Sequence, residues 1–408
     1  MKILGIRYGG HDSAASLMID GEIIAASSQE RYDYQKHSRN FPIDAIHDCL
    51  KTAGIKMSDL DEIAFGNDSL YHIKEFYLKQ ALKDEQRIGF LIRDIDRIKQ
   101  AYEMEDIVRE HTGYKGAINF YRHHLCHLSS AYYPSGFDKA LLLSLDGMGE
   151  IETGMYAKGD NGEIEIIYEN TKYPDSLGLI YSAITFYLGW RNHCDEGIIM
   201  GLASYGNPNE TIPNSSMTYY ELFSDIIKND GKYGYTINRD WVVYDKVRNK
   251  WVSDKFYDLL GPKRDYEDEI TIHHQHIAAA LQLRLEKLVL GHLKILREET
   301  GLNKLCIAGG VGLNCSLNGV IEQSGIFDEI FIQPASGDDG STLGACFMAA
   351  KNAGMDIKPK KNHNYYLGSV FSDQDMDNAV KASGVKYQKP DDIFKATAKI
   401  LERRSNHC

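Results

Sequence analysis

Apolar and polar positions alternate at the start of the chain in three short runs, 3-ILGIRYGG-10, 13-SAASLMI-19 and 22-EIIAASSQE-30, with Asp20-Gly21 between the last two. Alternating runs joined by an Asp-Gly pair predict a β-hairpin, so the pattern reads strand, glycine turn, strand, tight turn, strand. The same order returns in 140-ALLLSLDGMGEIETGMYAKGDNGEIEIIYEN-170, whose second turn falls at Asp160-Asn161-Gly162. Two copies so far apart predict a duplicated fold with a cleft between the halves, against the plainer reading that hairpins are common.

Between the copies, residues 72–113 are dense in helix formers with apolar positions at helical spacing, which predicts a helical insertion. Residues 271–301 repeat apolar positions at i, i+3 and i+4 and end at Gly301, the pattern of a long helix with a glycine stop. Its early histidines, His273, His274 and His276, read as a solvated helix end and are left out of the site. Two further apolar strands, in 304-KLCIAGG-310 and 329-EIFIQP-334, each run into a glycine-rich turn before a helix. Strand, glycine turn, helix, repeated, is α/β architecture with functional loops at the strand ends.

Composition narrows the class. A chain of 408 residues predicts more than one lobe. Hydrophobic content of 43% with 25% charged residues is ordinary for a soluble protein, and no apolar run of about 18 residues exists to span a bilayer. The first residues lack the pattern of a signal peptide, so a cytoplasmic protein without membrane association is expected. A formal charge of -12 disfavours extended nucleic-acid binding but leaves room for one nucleotide. Seven cysteines without a C-x-x-C pair argue against a disulfide framework and against a thiolate zinc site.

The densest candidate chemistry is 121-YRHHLCHLSSAYYPSGF-137. His123 and His127 stand at i, i+4, so on a helix both rings leave one face, as two ligands of one metal must, while His124 points elsewhere. H-E-x-x-H is absent, so a metalloprotease reading has little support, and a polar helix start stays open for the pair. Asp146, closing 141-LLLSL-145, and Asp338 and Asp339 in 337-GDDG-340 could add carboxylates, although Asp beside Gly is also an ordinary turn residue. Two imidazoles with carboxylates suit iron(II) first, with manganese, magnesium or zinc as alternatives. The turns 147-GMGE-150, 309-GGVGLN-314 and 336-SGDDG-340 could offer backbone N–H groups to phosphates, though none is a Walker loop or a Rossmann fingerprint. Gly10-His11-Asp12 and 36-KHSRNFP-42 form a third group, in which a histidine near working pH can serve as a base.

The stretches 10-GHDSAASL-17, 36-KHSRNFP-42, 123-HHLCHLSSAYYPS-135, 144-SLDGMGE-150, 196-EGIIMGLASYG-206, 306-CIAGGVGLNCSLNG-319, 334-PASGDDGSTLGA-345 and 366-YLGSVFSD-373, in this order, resemble the O-carbamoyltransferases of the nodulation-factor and antibiotic-tailoring type. Their amino-terminal domain is related to the tRNA threonylcarbamoyl-transfer proteins and belongs to the actin-like and sugar-kinase (ASKHA) superfamily. The resemblance implies a duplicated ASKHA fold, with a nucleotide cleft between lobe I at 1–137, containing the insertion, and lobe II at 138–354. It implies a metal on His123, His127, Asp146 and Asp338, and catalysis at His11 near the carbamoyl group, with Asp12, Lys36 and His37 beside it. It assigns Gly147, Gly149, Glu150, Gly309, Gly310, Val311, Asn314, Gly337 and Asp339 to a nucleotide.

The implied reaction makes carbamoyl-adenylate from carbamoyl phosphate and ATP, then passes the carbamoyl group to a hydroxyl of a small molecule or sugar. Two departures stand out. Ile198 occupies a position where the family pattern usually has a lysine. The family's carbamoyl-adenylate-forming domain, with its E-x-G-x-R-A-L entry, is not found, so residues 355–408 are expected to be a poorly ordered linker and its truncated start. A separate activating domain or protein is then implied, and the oligomeric state, a homodimer included, stays open. The other readings are a nucleotide- and metal-binding regulator without turnover, and a kinase or ATPase of the same superfamily.

Overall fold

Two five-stranded sheets repeat one strand order. In the first, β1 (Lys2–Arg7), β2 (Ala14–Ile19) and β3 (Glu22–Ser28) form an antiparallel meander, and β4 (Glu62–Phe65) and β5 (Ala117–Phe120) extend it in parallel from β1. In the second, β6 (Lys139–Leu145), β7 (Gly154–Asp160) and β8 (Glu163–Tyr168) form the meander. After a separate small hairpin of β9 (Ile227–Asp230) and β10 (Gly234–Ile237), β11 (Lys304–Ala308) and β12 (Glu329–Ile332) extend it in parallel from β6. The orders β3-β2-β1-β4-β5 and β8-β7-β6-β11-β12 are equivalent, so this is a duplicated α/β fold. The computed structural model describes residues 1–405 apart from 170, 248 and 363.

Local chemistry accounts for the shared meander. Asp20 and Gly21 have φ of 50° and 86°, and Asn161 and Gly162 have φ of 50° and 90°. Positive φ at both central residues makes the tight turn whose twist matches the flanking strands, and Asp-Gly and Asn-Gly are the pairs that adopt it at least cost.

The helices exchange places between the sheets. Helix α1 (Ile43–Ala53) covers β2 and β3, but α2 (His123–Ser135), which follows β5 in the chain, packs on β6 and β11 of the second sheet. Helices α3 (Leu177–Tyr187), α4 (Glu196–Ala203), α5 (Ile272–Thr300) and α6 (Cys315–Gln323) belong to the second half, whereas α7 (Ser341–Asn352) returns to pack on β1, β2, β4 and α2. One buried cluster consequently joins Ile3 and Met18 of the first sheet to Leu128, Leu142, Cys306 and Phe347. The division expected at 137/138 therefore runs through a shared core. The crossing needs residues without a Cβ: one placed on Gly344 would lie 1.8 Å from the Cys126 carbonyl oxygen, and one on Gly5 would lie 2.1 Å from that of Thr342.

Helix α5 ends where Gly301, at φ 68°, donates its N–H to the Arg297 carbonyl. Its histidines go to separate partners, His273 to Leu260 and Tyr219, His274 to Thr271, and His276 to the Asn207 N–H. The insertion is helical in short pieces between Ser69 and Thr112, broken at Asp84, Asp94 and Glu103. No helix among the described residues is long and apolar enough to cross a membrane.

Contacts divide the chain into Met1–Gly368 and Ser369–Cys408, so residues 355–368 belong to the larger unit. Ile357 is buried, Lys360 N–H donates to the Tyr133 carbonyl, and Ala26 N–H donates to that of Leu367. In the smaller unit Ser372 caps a helix over Asp373–Ser383, and a second helix spans Ile393–Ser405. Both helices carry helix-forming residues, and the first has a capping box at its start and Gly384 at its end, which is enough local signal to order them.

Gly344→Ala forces a methyl group against a backbone carbonyl and should cost about 3 kcal/mol or more. Gly291→Ala, in α5 where an added Cβ meets nothing within 4 Å, should gain about 0.5–1 kcal/mol. Urea midpoints of the two variants should move in opposite directions. An unchanged midpoint for Gly344→Ala would mean that the helix crossing does not depend on that contact.

Candidate functional site

The loops that follow β1, β6 and β12 meet the start of α2. His123 and His127 sit one turn apart on α2, and their Nε2 atoms lie 2.9 Å from each other. Asp146, just past β6, places Oδ2 at 3.1 Å from His123 Nε2 and 3.4 Å from His127 Nε2. Asp338, at the turn before α7, places Oδ1 at 3.2 and 3.7 Å from the same two atoms. One ligating atom from each of the four residues lies within 4.8 Å of the others, and both histidines are fully buried.

Three of the four donors are held from behind. His123 Nδ1 faces the Gly66 carbonyl at 3.2 Å, so it carries the proton and leaves the Nε2 lone pair facing the centre. Asp146 Oδ1 accepts the N–H groups of Gly147 at 2.7 Å and Gly310 at 3.2 Å, which turns Oδ2 toward the histidines. Asp338 Oδ2 accepts from Arg7 Nη2 at 2.6 Å and Nε at 3.2 Å. The first turn of α2 is anchored by Glu150, whose Oε1 accepts the N–H groups of His123 at 2.9 Å and Asp68 at 2.8 Å. A carboxylate at a helix N-terminus meets unsatisfied N–H groups and the positive end of the helix dipole.

The four donors fit a divalent cation. Ligand bonds of about 2.0–2.2 Å put neighbouring ligand atoms about 3.0–3.5 Å apart, and the separations here run from 2.9 to 3.7 Å. Two Nε2 atoms in contact cannot both present lone pairs unless a positive charge lies between them. His127 Nδ1 is buried and has no hydrogen-bond partner among the described residues. The electrostatics make the same demand. Burial alone would lower the His123 pKa and raise those of Asp146 and Asp338, yet the opposite charges win: His123 rises to about 10 and both carboxyls fall well below the ordinary carboxylate range.

A second group lies on the turn between β1 and β2. Asp12 bridges two imidazoles, with Oδ2 at 2.8 Å from His11 Nδ1 and Oδ1 at 2.6 Å from His37 Nδ1. Burial alone would lower the His11 pKa, but the Asp12 hydrogen bond and the Asp338 charge push it up to about 9. His193, on the loop between α3 and α4, stacks on His11 with ring centres 6.3 Å apart. Asp12, His37 and His193 have φ of 59°, 56° and 59°, a left-handed conformation that costs a residue with a side chain and concentrates at functional sites.

Residues expected at the nucleotide also make contacts within the fold. The Asn314 side chain caps α6 through the Leu317 N–H and pairs twice with Gln282, so its amide is fully engaged. Glu150 is committed to the backbone of α2, Gly149 lies under the rings of His123 and His124, and the Val311 side chain packs against the second core. Asp339 Oδ1 accepts the Gly340 N–H, and burial together with the Asp12 charge raises its pKa. Gly147, Gly309, Gly310 and Gly337 lie in the loops that carry Asp146 and Asp338 or contact them, but the Gly147 and Gly310 amides serve Asp146. Lys36 is exposed and sends its ammonium group to Glu30. Ile198, half exposed, lines a groove of 670 Å³ with Phe186, Trp190, Asn192, Asp195 and Tyr266.

Arg7 and His193 were not found from sequence. Arg7 looks like an interruption of an apolar run, and its equivalence to Leu145, each the last residue of the first strand of its copy, is the signal that could have placed it beside the site. His193 has no local motif.

The family described as Carbamoyltransferase N-terminus matches residues 2–347. An uncharacterized protein of Synechocystis sp. is 34% identical, over 98% of this chain and 66% of its own length. Nodulation protein NolNO of Sinorhizobium fredii is 32% identical, over 96% of this chain and 54% of its own length. The chain thus spans between about half and two thirds of these relatives. Among solved structures, component A of (R)-2-hydroxyglutaryl-CoA dehydratase from Acidaminococcus fermentans aligns with a TM-score of 0.43 at 15% identity, over 87% of this chain and 99% of that one. By a match that takes in both sheets and every loop of the four-donor cluster, the chain belongs to the carbamoyltransferase N-terminal family.

Proposed function

We propose that this chain is the acceptor-transfer part of an O-carbamoyltransferase, moving a carbamoyl group from carbamoyl-adenylate to a hydroxyl of a small molecule or sugar. The observation that carries the reading is the convergence of His123, His127, Asp146 and Asp338 next to a charged His11–Asp12 pair, in a chain of this family. The four donors would hold a divalent ion, iron(II) by preference, which when bound supplies positive charge to phosphate or carbamoyl oxygens. Arg7 keeps Asp338 ionised and oriented for that task. His11, kept protonated by Asp12, suits hydrogen-bond donation to the carbamoyl oxygen or the departing phosphate, where negative charge develops. A proton-accepting role does not fit a ring with its pKa near 9. Backbone N–H groups in the turns around Gly309 and Gly337 would receive the phosphate. A domain or protein that forms the adenylate would supply the donor.

Incubation with preformed carbamoyl-adenylate and a panel of polyols and sugars should yield AMP and an O-carbamoyl product in equal amounts. Tight binding without product would favour the regulator reading, and phosphorylated product from ATP alone would favour a kinase.

His127→Ala and Asp338→Asn should each lower bound metal by at least tenfold in elemental analysis of the purified protein. Equal metal in parent and variants would remove these residues from the site.

The His11 pKa gives a signed pH dependence. A histidine whose folded pKa is raised from 6.5 to about 9 adds stability that is complete below 6.5 and disappears as pH rises through 9. Wild-type protein should therefore lose stability across that window, and Asp12→Asn should lose less. In the variant the His11 pKa should fall by NMR, because the hydrogen bond and the charge of Asp12 are gone while burial remains. A value still near 9 would sink the account.

A further inference from the structure

The transfer step needs a group to take the acceptor's proton, and His11, whose Nδ1 lies 2.8 Å from the Asp12 carboxylate, is placed to hold a proton rather than to take one. We propose that His193 is the general base, accepting the hydroxyl proton of an acceptor seated in the groove beside its loop. This rests on the carbamoyl-transfer reading above.

The geometry is built around the His193 ring. Ser182 Oγ donates to Glu196 Oε1 at 2.6 Å, so its proton is spent and its lone pairs face His193 Nδ1 at 3.5 Å. Nδ1 therefore carries the ring proton, and Nε2 is left with its lone pair. The His193 N–H also donates to Glu196 Oε1, at 2.6 Å, which fixes the left-handed backbone that carries the ring. Nε2 makes no hydrogen bond among the described residues, and His193 is exposed, so the lone pair is open to a ligand. One face of the ring stacks on His11 and an edge meets Trp251. The loop that carries it also supplies Trp190, Asn192 and Asp195 to the groove, in which Phe186, Ile198 and Tyr266 make an apolar wall. An acceptor with an apolar face and a free hydroxyl fits that lining.

The groups facing the ring decide its charge. Desolvation on its packed side lowers the pKa, Glu196 and Asp146 oppose this, and the charges of His11 and Arg39 lower it further. The result is a neutral imidazole beside an imidazolium. In the step, the acceptor O–H proton passes to His193 Nε2 as the oxygen's electron pair forms the new C–O bond to the carbamoyl carbon. The C–O bond to the phosphate breaks, and AMP leaves with that electron pair. His11, hydrogen-bonded through Nε2–H to the oxygen that gains charge, need not lose its proton.

Two measurements test this. With histidine labelled by ¹⁵N, His193 should show the Nδ1–H tautomer at pH 7 while His11 is doubly protonated. Protonation of His193 at Nε2 would overturn the assignment whatever the enzyme does. With preformed carbamoyl-adenylate and glycerol as surrogate acceptor, His193→Gln should slow AMP release on the order of a hundredfold. The variant should also lose the acid limb of the pH profile and keep the parent's affinity for the adenylate, measured calorimetrically. A variant with the parent's rate overturns the base role alone. A wild-type protein that releases no AMP overturns the transfer reading, and the base role falls with it.

Discussion

Two carboxylates and two imidazoles are buried at one point where the loops after three strands meet the start of α2, and the rest of the molecule is arranged to make that tolerable. An unpaired buried carboxylate is costly enough that it would ordinarily take up a proton. Here Asp338 is paired with Arg7, Asp146 receives two backbone N–H groups, and His123 is fixed by the Gly66 carbonyl. These supports come from β1, the loop after β4, and the loops after β6 and β11. Moving any one sheet would strip a partner from a buried charge, so the site ties the relative position of the two sheets to its own electrostatics. A divalent cation relieves the remaining conflict, the contact between two Nε2 atoms, better than a single proton shared between them.

The duplication explains why these groups can meet. Equivalent strand orders put the ends of β1 and β6 in equivalent places, each followed by a glycine turn with an acid. The exchange of α2 and α7 between the sheets then brings the ligand-bearing start of α2 over the end of β6, and Asp338 over the end of β1. Gly5 and Gly344 permit the close backbone approach that this exchange requires. Without it, the histidines and Asp338 would belong to separate lobes.

Much of this was legible in the chain because it depends on local chemistry. Asp20-Gly21 and Asn161-Gly162 specify their turns through φ alone, and the i, i+4 spacing of His123 and His127 specifies a common helical face. What the chain hides is pairing at a distance. Nothing beside Arg7 announces Asp338, 331 positions away. Asn314 and Glu150 looked like ligand contacts because they lie in glycine-rich turns, but a helix cap and a helix N-terminus make the same residue types useful to the fold. The boundary at 137/138 follows the linear order of the strands, whereas the core follows the packing of helices that cross it. The tail after 354 was read as a linker from the resemblance alone, whereas Ile357 and a few backbone hydrogen bonds attach its first part to the larger unit.

The proposed transfer asks for two tasks that one histidine cannot perform at once. A ring that stabilises developing negative charge must be protonated, and a ring that removes a proton must not be. Asp12 settles the first for His11 through a direct hydrogen bond between side chains. Glu196 stands near enough to His193 to protonate it by the same logic, but Ser182 is interposed. The carboxylate's nearest oxygen is occupied by the Ser182 hydroxyl and the His193 backbone N–H, so the ring receives orientation through Nδ1 without the full pull of an ion pair. The neighbouring imidazolium then works against a second positive charge. Isoleucine at position 198 is consistent with this balance, since it adds apolar surface to the groove proposed for the acceptor, where a lysine would have added a second cation to a lining that already holds Arg191.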